Sequence, residues 1–295
     1  MKRFTGYFFC DIIAIEDVKY MRYTLQSSKY VFKNFIYIFP FAVLPALFLS
    51  VSTDEEAMIF VLESFFSGAI DAWDFSNLFC AVSVLNFASW KAIAFGLIGV
   101  VAIVLCVSLM MALMEKHMRI GKRTFNGIFS KLNDNLLPTS GYAILLLTIY
   151  ELWSLVTAAL LYLVSLLPMP VLAYAFAIIT FLAAHFALLY SVNIIYLWLP
   201  CMQITGFRAA EALYYSNQLA APVRWRILLG QTATLLMMDA LVYLCLIFVP
   251  EPIVFTILTT LLYALVIMIY CVRMQIAYFD LDHIERADIT KYYQR

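Results

Sequence analysis

The chain has 295 residues, of which 65% are hydrophobic and 13% are charged, and its formal net charge is zero. Soluble domains are about 45–50% apolar and about 25% charged. The composition therefore excludes an ordinary soluble domain and predicts a protein that lies in lipid. The sequence also contains no basic domain of the kind that nucleic-acid binding requires.

The first amphipathic stretch lies near the N-terminus, after an apolar run at 4–15 that Asp11 interrupts. This run has no small-residue cleavage site, so we expect it to be retained on the cytoplasmic side rather than removed as a signal peptide. Steps of three and four residues place one set of polar side chains on a single helical stripe: Lys19, Arg22, Gln26, Lys29 and Lys33. The four cations of this stripe are candidate contacts for anionic lipid headgroups.

Six segments are long and apolar enough to cross about 30 Å of hydrocarbon, at 31–50, 90–114, 139–167, 171–199, 226–249 and 252–279. Pro168 and Pro170 separate the third and fourth, and Pro250 and Pro252 separate the fifth and sixth, so both connections are predicted to be tight external turns. We predict an all-α membrane bundle of six transmembrane helices that forms a single integral membrane domain over residues 1–295.

The external segment at 51–88 is too long for a simple turn. It is acidic and aromatic, and it contains no Lys or Arg. A short helix is predicted at 57–68, with Asp54 near its positive end. Two hypotheses remain open for this segment: a structural cap on the bundle and a lid over a ligand.

Two further amphipathic stretches precede the third and fifth spans. Arg119, Lys122 and Arg123 share a face in the first stretch, and Arg208 and Glu211 share one in the second. Interfacial helices and ordinary basic loops are both consistent with these stretches. If all three stretches are helices, the unit of interfacial helix, span, external turn and span occurs three times, which indicates a threefold internal repeat.

The distribution of positive charge predicts the orientation. All Lys and Arg residues except Lys91 lie in four segments, 2–33, 116–131, 208–226 and 273–295, and long apolar runs separate these segments. Segments rich in Lys and Arg remain in the cytoplasm. We therefore expect a multi-pass protein of the plasma membrane with both termini in the cytoplasm.

The stretch Glu211–Leu219 followed by Arg224-Trp-Arg-Ile-Leu resembles a group of bacterial six-helix membrane proteins. The group includes the YciC-like proteins and the membrane domain found beside some glycerophosphodiester phosphodiesterases. In it, a short helix with the pattern E-A-L-x-x-S-x-x-L precedes a basic, aromatic start of a span. The resemblance implies the six-helix fold and a bacterial plasma membrane. The soluble phosphodiesterase domain is absent from this sequence, so that chemistry does not follow.

Three ionisable residues lie near the middle of predicted spans: Glu151, His185 and Asp239. Such residues are costly in lipid and often mark functional sites. Glu151 and His185 lie at similar depth in neighbouring spans, within reach of each other. The alternatives are interhelical hydrogen bonds that fix helix register, a proton- or cation-linked transport site, and catalysis.

Catalysis has the least support, because the sequence contains no H-E-x-x-H, no G-x-S-x-G and no phosphate-binding glycine loop. One histidine with one carboxylate is also too few ligands for a metal. We therefore expect no catalytic residues, no metal and no cofactor. The leading hypothesis is a non-enzymatic scaffold or accessory factor that binds lipid or a partner membrane protein, and not nucleic acid. The alternative is a small transporter that uses Glu151, His185 and Asp239.

Overall fold

The structure is a computed structural model, and it describes residues 22–87, 89–249 and 251–289. These residues contain helices and short 3-10 turns and no strand. Six helices, or runs of helix, are long and apolar enough to cross a membrane, which confirms the prediction of a multi-pass membrane protein. The membrane helices are α2 (Phe35–Ser52), α5 (Trp90–Ile120), α6 (Ile128–Ser165), α7 (Pro170–Ile195), α10 (Arg224–Phe248) and α11 (Pro252–Leu281). The remaining helices are α1 (Arg22–Lys33), α3 (Glu55–Ser67), α4 (Phe75–Val82), α8 (Trp198–Thr205) and α9 (Ala209–Ala220).

The six membrane helices form a closed ring in sequence order. Each helix packs against the next along the chain, and α11 closes the ring by packing against α2. Short connections place α6 beside α5, α7 beside α6 and α11 beside α10, because a helix that follows a tight turn runs antiparallel beside its predecessor. Pro170 and Pro252 begin α7 and α11 at the first helical turn, where proline is tolerated since that turn has no internal hydrogen-bond partner for its amide. The predicted tight turns are confirmed.

One end of the ring carries residues 53–87, and we call it the loop face. Two short helices form here because carboxylates cap their first turns: Asp54 accepts a hydrogen bond from the Ala57 amide at 3.0 Å, and Asp74 accepts one from the Asn77 amide at 2.7 Å. Gly68 ends α3 with φ = +91°, a left-handed conformation that glycine adopts without steric cost. The helix predicted at 57–68 is confirmed, two residues longer at its start.

The other end carries α1, α8, α9 and the stretches 121–127 and 282–289, and we call it the basic face. Side chains connect its parts to the end of α11: the Tyr23 hydroxyl donates to Asp280 at 2.8 Å, and the Tyr215 hydroxyl donates to Asp282. Burial, followed by the hydrogen bond to Asp280, raises the pKa of Tyr23 above its ordinary value, so this tyrosine remains a donor. The described part of the basic face is therefore a packed layer rather than a set of free loops.

The structure has helices in the first and third amphipathic stretches and no separate helix in the second. The first stretch is helical from Arg22, and its Lys19 lies outside the described residues. The second is not a separate helix, because residues 121–127 are a loop and α6 runs without a break from Ile128 through Pro138. Proline is tolerated inside membrane helices when neighbouring groups satisfy the freed carbonyl. The third stretch is helical as α9, so the helix–span–turn–span unit is complete only in the first and third copies, and the threefold repeat stays a prediction.

Candidate functional site

Two of the three predicted intramembrane residues meet inside the ring. His185 on α7 places its Nε2 atom 3.2 Å from the Oδ2 atom of Asp239 on α10. The His185 side chain is 7% exposed and the Asp239 side chain is 32% exposed. Although the two atoms are close enough for an ion pair, Oδ2 has no partner in hydrogen-bonding geometry among the described residues. The carboxylate thus has an accepting position that no protein donor fills.

The imidazole of His185 is held in one orientation. Its Nδ1 atom lies 2.9 Å from the carbonyl oxygen of Phe181, and a carbonyl only accepts, so the Nδ1 atom carries a hydrogen. Two aromatic rings contact the imidazole: Phe181 at 4.1 Å between centroids, and Trp153 at 4.9 Å in an edge-to-face arrangement. Trp153 is itself fixed, since its indole N–H donates to the Ala184 carbonyl at 2.6 Å. The proton that His185 gains or loses is therefore on Nε2, the atom that faces Asp239.

Glu151 forms hydrogen bonds, one of the alternatives left open for it, but with the loop-face segment. It does not pair with His185. One carboxylate oxygen accepts from the Ser83 hydroxyl at 2.7 Å, and the other accepts from the Leu85 amide at 3.0 Å. These bonds attach the end of the loop-face segment to the middle of α6. Glu151 thus satisfies backbone and hydroxyl groups that would otherwise be unpaired in an apolar region.

A cavity of about 270 Å³ lies beside the histidine–aspartate pair, inside the ring on the side of the loop face. Its walls come from α2, α6, α7, α10 and α11, and residues 81–84 and Met58 cover it on the loop face. Most of the lining is aliphatic or aromatic. The polar lining residues are Thr53, Ser83, Tyr150, His185, Asp239, Tyr243 and Tyr263. An apolar cavity with a few convergent polar groups is the usual form of a small-molecule site.

The helix that carries Asp239 is held less tightly than the others. In the ring, α10 packs against α7 and α11 less extensively than the other membrane helices pack against their neighbours. The cavity is also partly open rather than sealed.

Thr53, Ser83 and Tyr263 also line the cavity, and sequence reasoning did not identify them. The Tyr263 hydroxyl lies 3.3 Å from the Thr53 hydroxyl, so these two connect α11 to the end of α2. A signal for Tyr263 was present in the sequence: α10 and α11 run antiparallel from one tight turn, and Tyr263 and Asp239 lie at comparable distances from that turn. Residues at equal distance from a turn lie at equal depth.

The described residues contain no group of three or more His, Cys, Asp or Glu side chains that could hold a metal ion. The five cysteines in the described part of the chain, Cys80, Cys106, Cys201, Cys245 and Cys271, are all free thiols. The cavity lining therefore offers acid–base and hydrogen-bonding groups, with the histidine–aspartate pair as its charged element.

The described cations predicted to contact lipid headgroups, Arg22, Lys29 and Lys33, lie on α1 and have different surroundings. Arg22 forms an ion pair with Asp280, with 3.4 Å between its Nη2 atom and the Oδ1 atom of the carboxylate. Lys29 and Lys33 are exposed on α1, and Lys33 lines a groove on the outside of the bundle.

No protein-family model, curated protein or solved structure matches the chain. The resemblance to the bacterial six-helix proteins therefore stays a prediction, and function has to be argued from the cavity itself.

Proposed function

We propose that this protein is a membrane transporter that binds a small organic solute in the cavity of the ring and exchanges it for a proton held by His185 and Asp239. The observation that carries the proposal is the cavity, which lies directly beside an intramembrane histidine–carboxylate pair with an unfilled accepting position. Chains of histidine and carboxylate side chains within membrane spans commonly relay protons. The scaffold or accessory-factor hypothesis, which the sequence favoured, does not account for this cavity.

The lining indicates the class of solute. The Asp239 carboxylate lines the cavity on a side chain that is 32% exposed and can pair with a cation, and Tyr150, Tyr243 and Tyr263 add aromatic faces and hydroxyls to the wall. A cation over an aromatic face is stabilised by the ring quadrupole. A volume of about 270 Å³ is at the lower limit of typical ligand sites. A small amine on a compact apolar body fits these features.

Exchange follows from competition for one carboxylate. A proton on Nε2 of His185 balances the charge of Asp239. An ammonium group that binds Asp239 supplies the same balance, so the proton on His185 is released when the amine binds. The proposal makes α10 the moving element, because it carries Asp239 and is the least tightly packed helix of the ring. No covalent chemistry is involved, and no catalytic residue is assigned.

The proposed location is a bacterial plasma membrane with the basic face in the cytoplasm. Lys and Arg of the described residues lie on the basic face, apart from Lys91 near the start of α5 and the buried Arg273 of α11, whereas the loop face carries acidic side chains such as Asp54, Glu55 and Glu63. The retention of Lys and Arg in the cytoplasm supports this orientation. The cavity then lies nearer the external side, beneath the cover formed by Met58 and residues 81–84.

The test uses purified protein in liposomes that contain a pH-sensitive dye, with a series of small organic amines as probes. We expect at least one amine to move protons through the unaltered protein and to move none through the Asp239→Asn variant. An amide keeps the shape of the side chain but cannot balance a cation or a protonated imidazole. The matched control is Glu251→Gln, a carboxylate exposed on the loop face, which should leave proton movement unchanged.

Two outcomes would contradict the proposal. One is equal proton movement through Asp239→Asn and the unaltered protein, which would remove the pair from the coupling step. The other is the absence of any response to the whole amine series while the protein remains folded and inserted.

A further inference from the structure

A second site lies on the outside of the bundle, at the junction of α1 and α2. A groove of about 820 Å³ runs between this junction and the loop that follows α5. Its lining contains Phe32, Lys33, Asn34, Phe35, Ile36, Tyr37, Pro40, Phe41, Arg123 and Phe125. Lys33 and Arg123 thus lie at one end of the groove, and apolar residues of the first turns of α2 line the rest of it.

The two cations are brought together by the backbone. Lys33 is the last residue of α1, and the Arg123 guanidinium donates from Nη2 to the Lys33 carbonyl at 3.3 Å. The negative end of a helix dipole favours a cation here. Both side chains are exposed, and no carboxylate lies within ion-pair distance of either one among the described residues. The groove therefore presents two positive charges that no acidic side chain balances.

Two buried polar atoms in the lining also lack partners. Asn34 is 2% exposed; its Nδ2 atom donates to the Tyr30 carbonyl at 2.8 Å, and its Oδ1 atom has no hydrogen-bond partner among the described residues. The Tyr37 hydroxyl is likewise buried without a partner. The Tyr37 ring packs at 4.8 Å against Phe125, so it is fixed in place. Unpaired buried polar atoms are costly unless a ligand or water satisfies them.

We propose that this groove is a binding site for an anionic phospholipid. The phosphate lies between Lys33 and Arg123, and the acyl chain follows the apolar surface of Ile36, Pro40 and Phe41. The Asn34 Oδ1 atom accepts from a hydroxyl of the headgroup, and the Tyr37 hydroxyl donates to a phosphate or ester oxygen. The site is separate from the solute cavity, so this inference does not depend on the proposed transport function.

The surroundings favour a lipid over a soluble anion. The groove lies where the membrane helix α2 begins, which is the depth of the headgroups for a helix that enters the bilayer at Phe35. Its rim exposes large apolar side chains: Ile36 is 88% exposed, Phe32 72% and Phe125 56%. A soluble phosphate would leave this surface uncovered, whereas an acyl chain covers it.

The experiment measures lipid binding by native mass spectrometry of the purified protein, titrated with phosphatidylglycerol or with phosphatidylcholine. We expect phosphatidylglycerol to bind more tightly. Lys33→Gln and Arg123→Gln should each weaken it by about fivefold, the contribution of one cation at an anionic headgroup. The control is Lys122→Gln, an exposed cation of the same face that does not line the groove, and it should leave binding unchanged.

Any of three other outcomes would contradict the proposed phospholipid site. Equal weakening by all three substitutions means that general surface charge attracts the lipid, and equal binding of the two lipids means that the phosphate site is not selective. Competition by soluble glycerol phosphate at similar concentration means that the site takes a free anion rather than a lipid. If Arg123→Gln unfolds the protein because the end of α1 is lost, the comparison of Lys33→Gln with Lys122→Gln still decides between these results.

Discussion

Two buried charged sites in this protein differ in how their hydrogen-bonding capacity is used. Arg273 on α11 is 3% exposed, and it donates to the Gly230 carbonyl at 2.8 Å, the Thr234 hydroxyl at 2.9 Å and the Tyr196 hydroxyl at 3.2 Å. At the other site, His185 and Asp239 border a cavity, and one carboxylate oxygen has no hydrogen-bond partner among the described residues.

This difference in hydrogen bonding distinguishes a buried charge that stabilises the fold from one that we propose acts in function. The guanidinium donates to Tyr196, just after α7, and to Gly230 and Thr234 on α10, so its hydrogen bonds join these parts of the chain to α11 and stabilise the fold. The histidine–aspartate pair, in contrast, lies next to the cavity, and the Oδ2 atom of Asp239 has no hydrogen-bond partner among the described residues. A buried charge alone does not indicate function; unused bonding capacity beside a cavity does.

The largest effect on stability is expected when Arg273 is removed. Arg273→Met keeps much of the side-chain volume but leaves the Gly230 carbonyl, the Thr234 hydroxyl and the Tyr196 hydroxyl without their donor. The free energy of unfolding, measured by denaturation in mixed micelles, should fall by about 2 kcal/mol or more. The control is Arg22→Gln, because Arg22 is half exposed beside Asp280 and such pairs contribute about 0–1 kcal/mol.

A loss at Arg273 no larger than the loss at Arg22 would contradict the structural role of the guanidinium. In that case, the comparison between the two buried sites would fail, because neither site would contribute to the fold through its hydrogen bonds.

A smaller effect is expected at Glu151, which connects the loop-face segment to α6. Glu151→Leu removes both acceptors, and it should lower the free energy of unfolding by about 0.6–2 kcal/mol and increase hydrogen exchange at the Leu85 amide. Glu151→Gln keeps one acceptor and should have the smaller effect. Thr148→Ala is a matched control on the same helix, since this hydroxyl is exposed and bonds only to its own helix.

Unchanged exchange at Leu85 in Glu151→Leu would mean that the loop-face segment is held by other contacts. The cover of the cavity would then not depend on the carboxylate, and the contrast between Glu151 as a structural acid and Asp239 as a functional one would lose its basis.

The sequence predicted the membrane spans well and the site only in part. Apolar length and the proline-bounded turns located all six membrane helices. The start of the third helix was wrong by eleven residues, because Pro138 and the polar residues before it resembled a boundary, whereas the structure continues the helix from Ile128. Propensity rules derived for helices in water overstate the effect of proline inside a supported membrane helix.

Depth in the membrane was predictable, but direction around the helix axis was not. Glu151 and His185 lie at similar distances from the turn that joins their helices, as expected, yet their side chains have different partners. Which residues face each other is decided by helix rotation, and the packing of all six helices sets that rotation. The apolar patterns of α7 and α10 carry little information about it, because lipid and core favour the same residues.

The most direct test of the central claim is whether water and small solutes reach the cavity. In a variant whose natural cysteines are replaced by alanine, Val242→Cys on the cavity wall is treated with 2-aminoethyl methanethiosulfonate, a small cation that reacts with thiolates in water. Met114→Cys is the control, since Met114 is 0% exposed in the packed core. The account predicts rapid modification at position 242 and none at position 114. Equal resistance at both positions would mean a dry cavity and would contradict the proposed transport function.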